Sequence, residues 1–269
     1  MLKDITIGQY LPGESFVHKL DPRIKILMSF LFVIGIFLIG SFIGYGVIAT
    51  FIIIVIVISG IKFRNILNGL KPIFFLIILT VILNVFMTGG SKQIFSFGFL
   101  RIYEEGLIQA VFIALRLILV IISTSLLTLT TSPIELTDGI EKLLSPFKRI
   151  GLPAHELAMM MSIALRFIPT LLDETDKIMK AQMARGADFE SGNIINRGKN
   201  LIPLLVPLFV SSFRRADELA IAMESRCYKG GEGRTRMKQL KIRIEDVYAI
   251  IIMIVIMILA IFSKLIFGL

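Results

Sequence analysis

Apolar residues fall along this chain in two regimes. In the first they run almost unbroken, over Ile24–Ile43, Gly44–Ile61, Pro72–Thr88, Leu107–Leu129 and Val247–Phe267. Each run comes close to the about 20 residues that a helix needs to cross a bilayer, so each predicts a membrane span. Almost nothing separates the first two runs around Gly40–Gly46, which predicts a helical hairpin. Gly89–Glu105 is rich in Gly and Phe and alternates over Ile94–Leu100, as a small extended or interfacial segment would.

The second regime is Thr131–Asp246, where apolar residues recur at helical spacing between charges. Ser132-Pro133-Ile134-Glu135 has the form of a capping box, with Pro in the first turn and Glu three residues after Ser. It predicts a helix over Ser132–Leu144, ended by Ser145-Pro146. A second helix is predicted from Gly151-Leu152-Pro153 to Arg185, roughly 45–50 Å long at 1.5 Å per residue. Its first half, Leu157–Leu172, is apolar, and its second half carries Leu172, Thr175, Met179 and Met183 on one stripe. A third helix repeats the plan: Leu201–Phe213 is apolar, and Phe213, Ala216, Leu219 and Met223 then form a stripe beside Arg214, Arg215, Asp217 and Glu218.

Neither apolar half spans a membrane comfortably, because Leu157–Leu172 is short and holds Arg166 and Leu201–Phe213 is shorter still. Five spans are therefore expected in preference to seven. The expected fold class is an all-α integral membrane protein of about five transmembrane helices with a cytoplasmic coupling region of two long amphipathic helices. The corresponding divisions are 1–130 with four spans, 131–246 as coupling helices and 247–269 as the last span.

Composition agrees: 55% of the 269 residues are hydrophobic, above the roughly 45–50% of soluble domains. The charge of +9 would suggest nucleic acid in a soluble protein, but the positions of the 29 Lys and Arg matter more. Eighteen lie between Thr131 and Asp246, and only Lys92, Arg101 and Lys264 fall in segments assigned outside. That asymmetry puts the N-terminus and 131–246 inside and the C-terminus outside. The same charges serve topology and anionic lipid, so no nucleic-acid partner is expected. The first 23 residues carry six charges and no apolar stretch, so no secretory signal is expected there. The single cysteine, Cys227, excludes an intramolecular disulfide and a cysteine metal cluster.

The two long helices end alike, at Ala181-Gln182-Met183-Ala184-Arg185-Gly186 and Ala222-Met223-Glu224-Ser225-Arg226-Cys227. Arginine near a helix C-terminus and Gly just past it are ordinary termination signals. They also suit a tip that enters a groove of another protein with arginine as its anchor. At this point a resemblance becomes specific. Leu165-Arg166-Phe167-Ile168-Pro169 through Ala187-Asp188-Phe189, Arg214-Arg215-Ala216-Asp217-Glu218-Leu219-Ala220 through Arg226-Cys227-Tyr228, and Leu20-Asp21-Pro22-Arg23-Ile24-Lys25 resemble the transmembrane T-components of energy-coupling factor (ECF) transporters.

The resemblance implies a non-catalytic scaffold in a bacterial or archaeal cell membrane. Two ABC-type ATPase subunits would dock on its helix tips, and a separate S-component would bind the vitamin or other micronutrient. The Ala-Arg-Gly-type triplets that meet the ATPases in that family map to Ala184, Arg185 and Gly186, and to Ser225, Arg226 and Cys227. The second triplet departs from the pattern at both flanks, with residues that are still small. No cofactor is expected on this chain, ATP and Mg²⁺ being held by the partners.

Seven of the 12 methionines fall in 131–246, and Met159, Met160 and Met161 are consecutive. Successive helical residues point about 100° apart, so the three cannot share one core. With Leu165 and Ile168 they are the candidate platform for the S-component, since methionine adapts to differing surfaces.

Other chemistry is thin. A self-contained secondary transporter or channel wants intramembrane acids or an internal repeat, and the five runs contain no Asp or Glu. A hydrolase would need a Ser/His/Asp or metal-ligand set that the sequence does not offer. Gly192–Asn200 only faintly matches a phosphate loop and is expected to link helices. Arg116 is costly inside a span unless it meets protein, water or lipid phosphate. His18 and His155 lack metal-ligand spacing and are expected to be structural.

Overall fold

The computed structural model describes residues 10–97, 100–187, 189, 198, 200–230 and 240–267. The described elements include nine α-helices and one β-hairpin: α1 Phe16–Lys19, α2 Pro22–Leu38, α3 Phe42–Ser59, α4 Phe63–Met87, β1 Gln93–Phe97, β2 Leu100–Tyr103, α5 Glu104–Thr130, α6 Pro133–Leu144, α7 Ala154–Ala184, α8 Ile202–Ser225 and α9 Ile244–Phe267. A 3₁₀ turn over Ser145–Ile150 follows α6. The chain divides into two compact units, one of 8–140 with 239–269 and the other centred on 141–238.

In the first unit α2, α3, α5 and α9 surround one apolar core, with Phe32, Ile36, Tyr45, Ile48, Ile52, Leu119, Leu126, Met253 and Ala260 buried together. Close approach needs small residues: a Cβ added at Gly35 would stand 1.5 Å from Met257 Cε, and one at Gly44 would stand 2.6 Å from the Ala260 carbonyl oxygen. The outward residues are also apolar, Phe74, Phe75, Val57 and Ile252 among them, as a surface facing hydrocarbon requires. Buried polar groups are paired: Ser41 and Ser263 hydroxyls meet at 2.5 Å, and Lys25 Nζ donates to the His18 and Thr130 carbonyls at 2.9 and 3.0 Å.

Five described helices are long and apolar enough to cross a membrane: α3, α4, α5, α7 and α9 up to Ser263. The number expected is met by a different set. The run Ile24–Ile43 becomes a helix of only 17 residues, because the Ser41 hydroxyl accepts the Gly44 N–H at 3.1 Å and starts α3 there. Pro72 does not begin α4 but lies inside it, the helix starting at Phe63. The run of α7 is continuous across Leu157–Leu172 and the amphipathic half, which makes it long enough by itself.

The glycine-rich segment before α5 is a two-stranded antiparallel hairpin, with Phe97 opposite Leu100 and Ser96 opposite Arg101. Glu105 accepts from the Ser91 N–H and hydroxyl at 3.0 and 2.6 Å, and Lys92 pairs with Glu104 at 2.8 Å, so the hairpin base is tied to the start of α5. The cap expected for α6 is present, the Glu135 N–H donating to Ser132 Oγ at 3.2 Å. Most of Gly192–Asn200, and Met237, lie outside the described residues.

Candidate coupling site

The second unit is built on an antiparallel pair, α7 and α8. Glu174, in the second half of α7, accepts hydrogen bonds from the Ser211 hydroxyl and the Arg215 guanidinium of α8. Toward the start of α7, the Tyr228 hydroxyl donates to Met159 Sδ at 3.0 Å. The C-terminal tip of α8 therefore lies beside the first turns of α7. From Met159 to Arg185 is 26 residues of sequence, about 39 Å of helix at 1.5 Å per residue. The two arginine tips stand at opposite ends of the pair, a separation that two helices ending alike in sequence do not reveal.

Locally the tips are copies of one another. At the end of α7 the Gly186 N–H donates to the Met183 carbonyl and the Ala187 N–H to the Gln182 carbonyl, both at 3.0 Å. At the end of α8 the Cys227 N–H donates to the Glu224 carbonyl at 2.9 Å and the Tyr228 N–H to the Met223 carbonyl at 3.0 Å. Both are Schellman caps, which require the residue after the C-cap arginine to take left-handed backbone. Gly186 does so at φ 88° and Cys227 at φ 56°. Ala184, Arg185, Gly186, Ser225, Arg226 and Cys227 are all exposed, so each cap presents its arginine outward.

The methionine row is divided as helix geometry demands. Met159 is half-buried under Tyr228, whereas Met160 and Met161 are exposed. Leu165 and Ile168 are half-buried. On α8 only Leu204 is fully buried, and Ile202, Leu205, Val206, Phe209, Val210 and Phe213 are exposed.

The cobalt transport protein family CbiQ matches residues 13–237. A protein of Clostridium kluyveri named energy-coupling factor transporter transmembrane protein EcfT is 62% identical over 269 residues, all of both chains. The chain belongs to the EcfT family. A Thermosediminibacter oceani EcfT is 61% identical over 250 residues, 93% of this chain and 94% of its own. The Bacillus subtilis EcfT is 52% identical over 264 residues, 98% of this chain and all of its own.

Three features of this EcfT-family chain escape sequence reasoning. Glu174 and Ser211 carry no signal in the sequence, and only the pairing of α7 with α8 makes them, with Arg215, a link. Tyr228 carries no signal beyond its place after the arginine. The left-handed backbone at Cys227 has no glycine to announce it, although its match in position to Gly186 is a usable sign. Elsewhere, His18 Nε2 donates to the Leu11 carbonyl at 3.1 Å, so Nδ1 accepts from the Ser15 hydroxyl at 2.6 Å. His155 Nδ1 meets Glu141 at 3.1 Å. Both histidines sit in local packing contacts, and no group of three metal-ligating side chains occurs among the described residues.

Proposed function

We propose that this chain is the transmembrane scaffold of an ECF importer in which each arginine tip holds one of two ABC-type ATPase subunits. The observation that carries the reading is the pair of matching caps, Arg185 and Arg226, exposed at opposite ends of one antiparallel helix pair. Two tips about 39 Å apart suit two separate partners better than one. The link of Glu174 to Ser211 and Arg215 lets a displacement of either tip move the pair as one body. A partly exposed ion pair and the exposed Arg166 also disfavour hydrocarbon around α7. In this reading α2, α3, α4, α5 and α9 are the spans, and α7 and α8 are cytoplasmic.

The energy source and the cargo belong to the partners. ATP and Mg²⁺ are bound and hydrolysed by the ATPase subunits, the scaffold having no catalytic part. An S-component binds the vitamin, metal or other micronutrient, and Met160, Met161 and the apolar face of α8 form its platform. The names of the relatives favour this over a self-contained transporter or channel.

The test is charge reversal at the tips. Loss of one side of a buried charged contact costs about 2–5 kcal/mol, so Arg185→Glu and Arg226→Glu are each expected to reduce ATPase co-purification by tenfold or more. The double variant loses both partners while inserting normally in the membrane. Full ATPase recovery and full uptake in the double variant would sink the reading.

A further inference from the structure

We propose that Arg116 is a binding site for the phosphate of a membrane lipid, in the leaflet on the side of the α2–α3 turn. Arg116 lies 12 residues into α5, about 18 Å along the helix from its first residue. Its Nε donates to the Tyr45 hydroxyl at 3.3 Å, and its guanidinium carbon lies 5.0 Å from the centre of the Phe37 ring. Phe37 is the last residue but one of α2 and Tyr45 is in the first turn of α3. The guanidinium thus sits level with the turn between those helices.

Those two contacts use one N–H and one face of the fork. Both terminal nitrogens, with four N–H groups, are left without a partner among the described residues, and the side chain is only half-buried. No neutralising acid is within reach of the sequence either, since the chain has no Asp or Glu from Ile24 to Ile102 or from Gly106 to Leu129. An arginine cannot shed its charge, and a charged group at this depth is costly without an anion.

The shape of the first unit supplies access. A Cβ added at Gly106 would stand 3.1 Å from the Thr88 carbonyl oxygen, so α4 and α5 stay together to their ends. They continue past the α2–α3 turn as a taller pair, and Ile82, Phe86, Leu107, Ile108 and Val111 on that extension are exposed. Such a surface belongs in hydrocarbon, which leaves a step above the shorter hairpin. A headgroup settling into the step brings its phosphate to the terminal nitrogens, while its acyl chains cover the apolar extension. A planar guanidinium grips two phosphate oxygens at once, which an ammonium cannot do.

Native mass spectrometry of the full chain in detergent tests this with two probes, phosphatidylglycerol and phosphate-free diglucosyl diacylglycerol. Wild-type protein is expected to retain phosphatidylglycerol, Arg116→Gln to retain at least about tenfold less, and Arg116→Lys to fall between them. The glycolipid is expected to bind weakly and equally to all three. Equal phosphatidylglycerol retention by wild type and by either variant overturns the proposal. So does a loss of glycolipid that matches the loss of phosphatidylglycerol, because apolar packing would then account for both.

Discussion

The buried carboxylate of Asp246, at the start of α9, accepts the backbone N–H of Asp21, which caps α2, at 2.8 Å. Its other oxygen accepts the Arg243 N–H at 2.7 Å. One side chain thus satisfies donors at the N-termini of two helices, one of them on a residue 225 positions away. Asp246→Ala strands both N–H groups, at about 1–3 kcal/mol for each group left unpaired in the interior. A clear fall in the thermal midpoint by circular dichroism in detergent is expected, and Asp246→Asn, which keeps one acceptor, should lose less.

Asp21 also has a pH signature. Burial works to raise its pKa, but hydrogen bonds from the Arg23 side chain and backbone, with the nearby positive charges, outweigh burial and hold it below the ordinary 3.8. A depressed carboxylate contributes stability that is fully present above the ordinary value and is lost as pH falls through the folded value. Asp21→Asn should therefore be less stable than wild type at pH 7, with the gap closing as the pH drops below about 3.8. A gap that stays constant down to pH 3 would remove Asp21 ionisation as its source.

Left-handed backbone costs an L-residue about 1–2 kcal/mol relative to glycine. Gly186→Ala should then loosen the end of α7 by about 1 kcal/mol, while Cys227→Gly should tighten the end of α8 by a similar or smaller amount. Hydrogen exchange reads this locally, at the Ala187 and Tyr228 amides that close the two caps. Faster exchange at 228 in Cys227→Gly would show that the strain at Cys227 is already relieved by its surroundings.

The Glu174–Arg215 pair is partly exposed, so its own stabilisation is modest, about 1 kcal/mol in a double-mutant cycle. Its larger effect is expected on coupling. Arg215→Glu should leave ATP hydrolysis by the assembled complex while lowering uptake per ATP, and Glu174→Arg with Arg215→Glu should restore part of the ratio. An unchanged ratio in Arg215→Glu would mean that the pair does not transmit force.

The Lys and Arg distribution predicts an orientation that labelling can test. In a Cys227→Ser background, a cysteine at Asn193 should be protected from impermeant thiol reagents in intact cells, and one at Ser91 should be labelled. Labelling at 193 from outside would place α7 and α8 across the membrane and remove the basis for cytoplasmic partners.

Unbroken apolar runs determined the all-α membrane class, and helical periodicity with charge determined that 131–246 holds two long amphipathic helices. Both signals are local: a residue's neighbours within five or six turns suffice to read them. The matching arginine tips were legible for the same reason, since Schellman caps are specified by a few consecutive residues. Tertiary structure alone decided where the tips go. The antiparallel pairing of α7 and α8 depends on Glu174 meeting Ser211 and Arg215, residues 37 and 41 positions away, and no local pattern encodes such a meeting. It likewise decided that Asp246 reaches Asp21 and that Arg116 finds a phenol and a ring in place of an acid. Each depends on which helix faces which, settled when small residues such as Gly35 and Gly44 let particular faces approach closely while others remain for lipid.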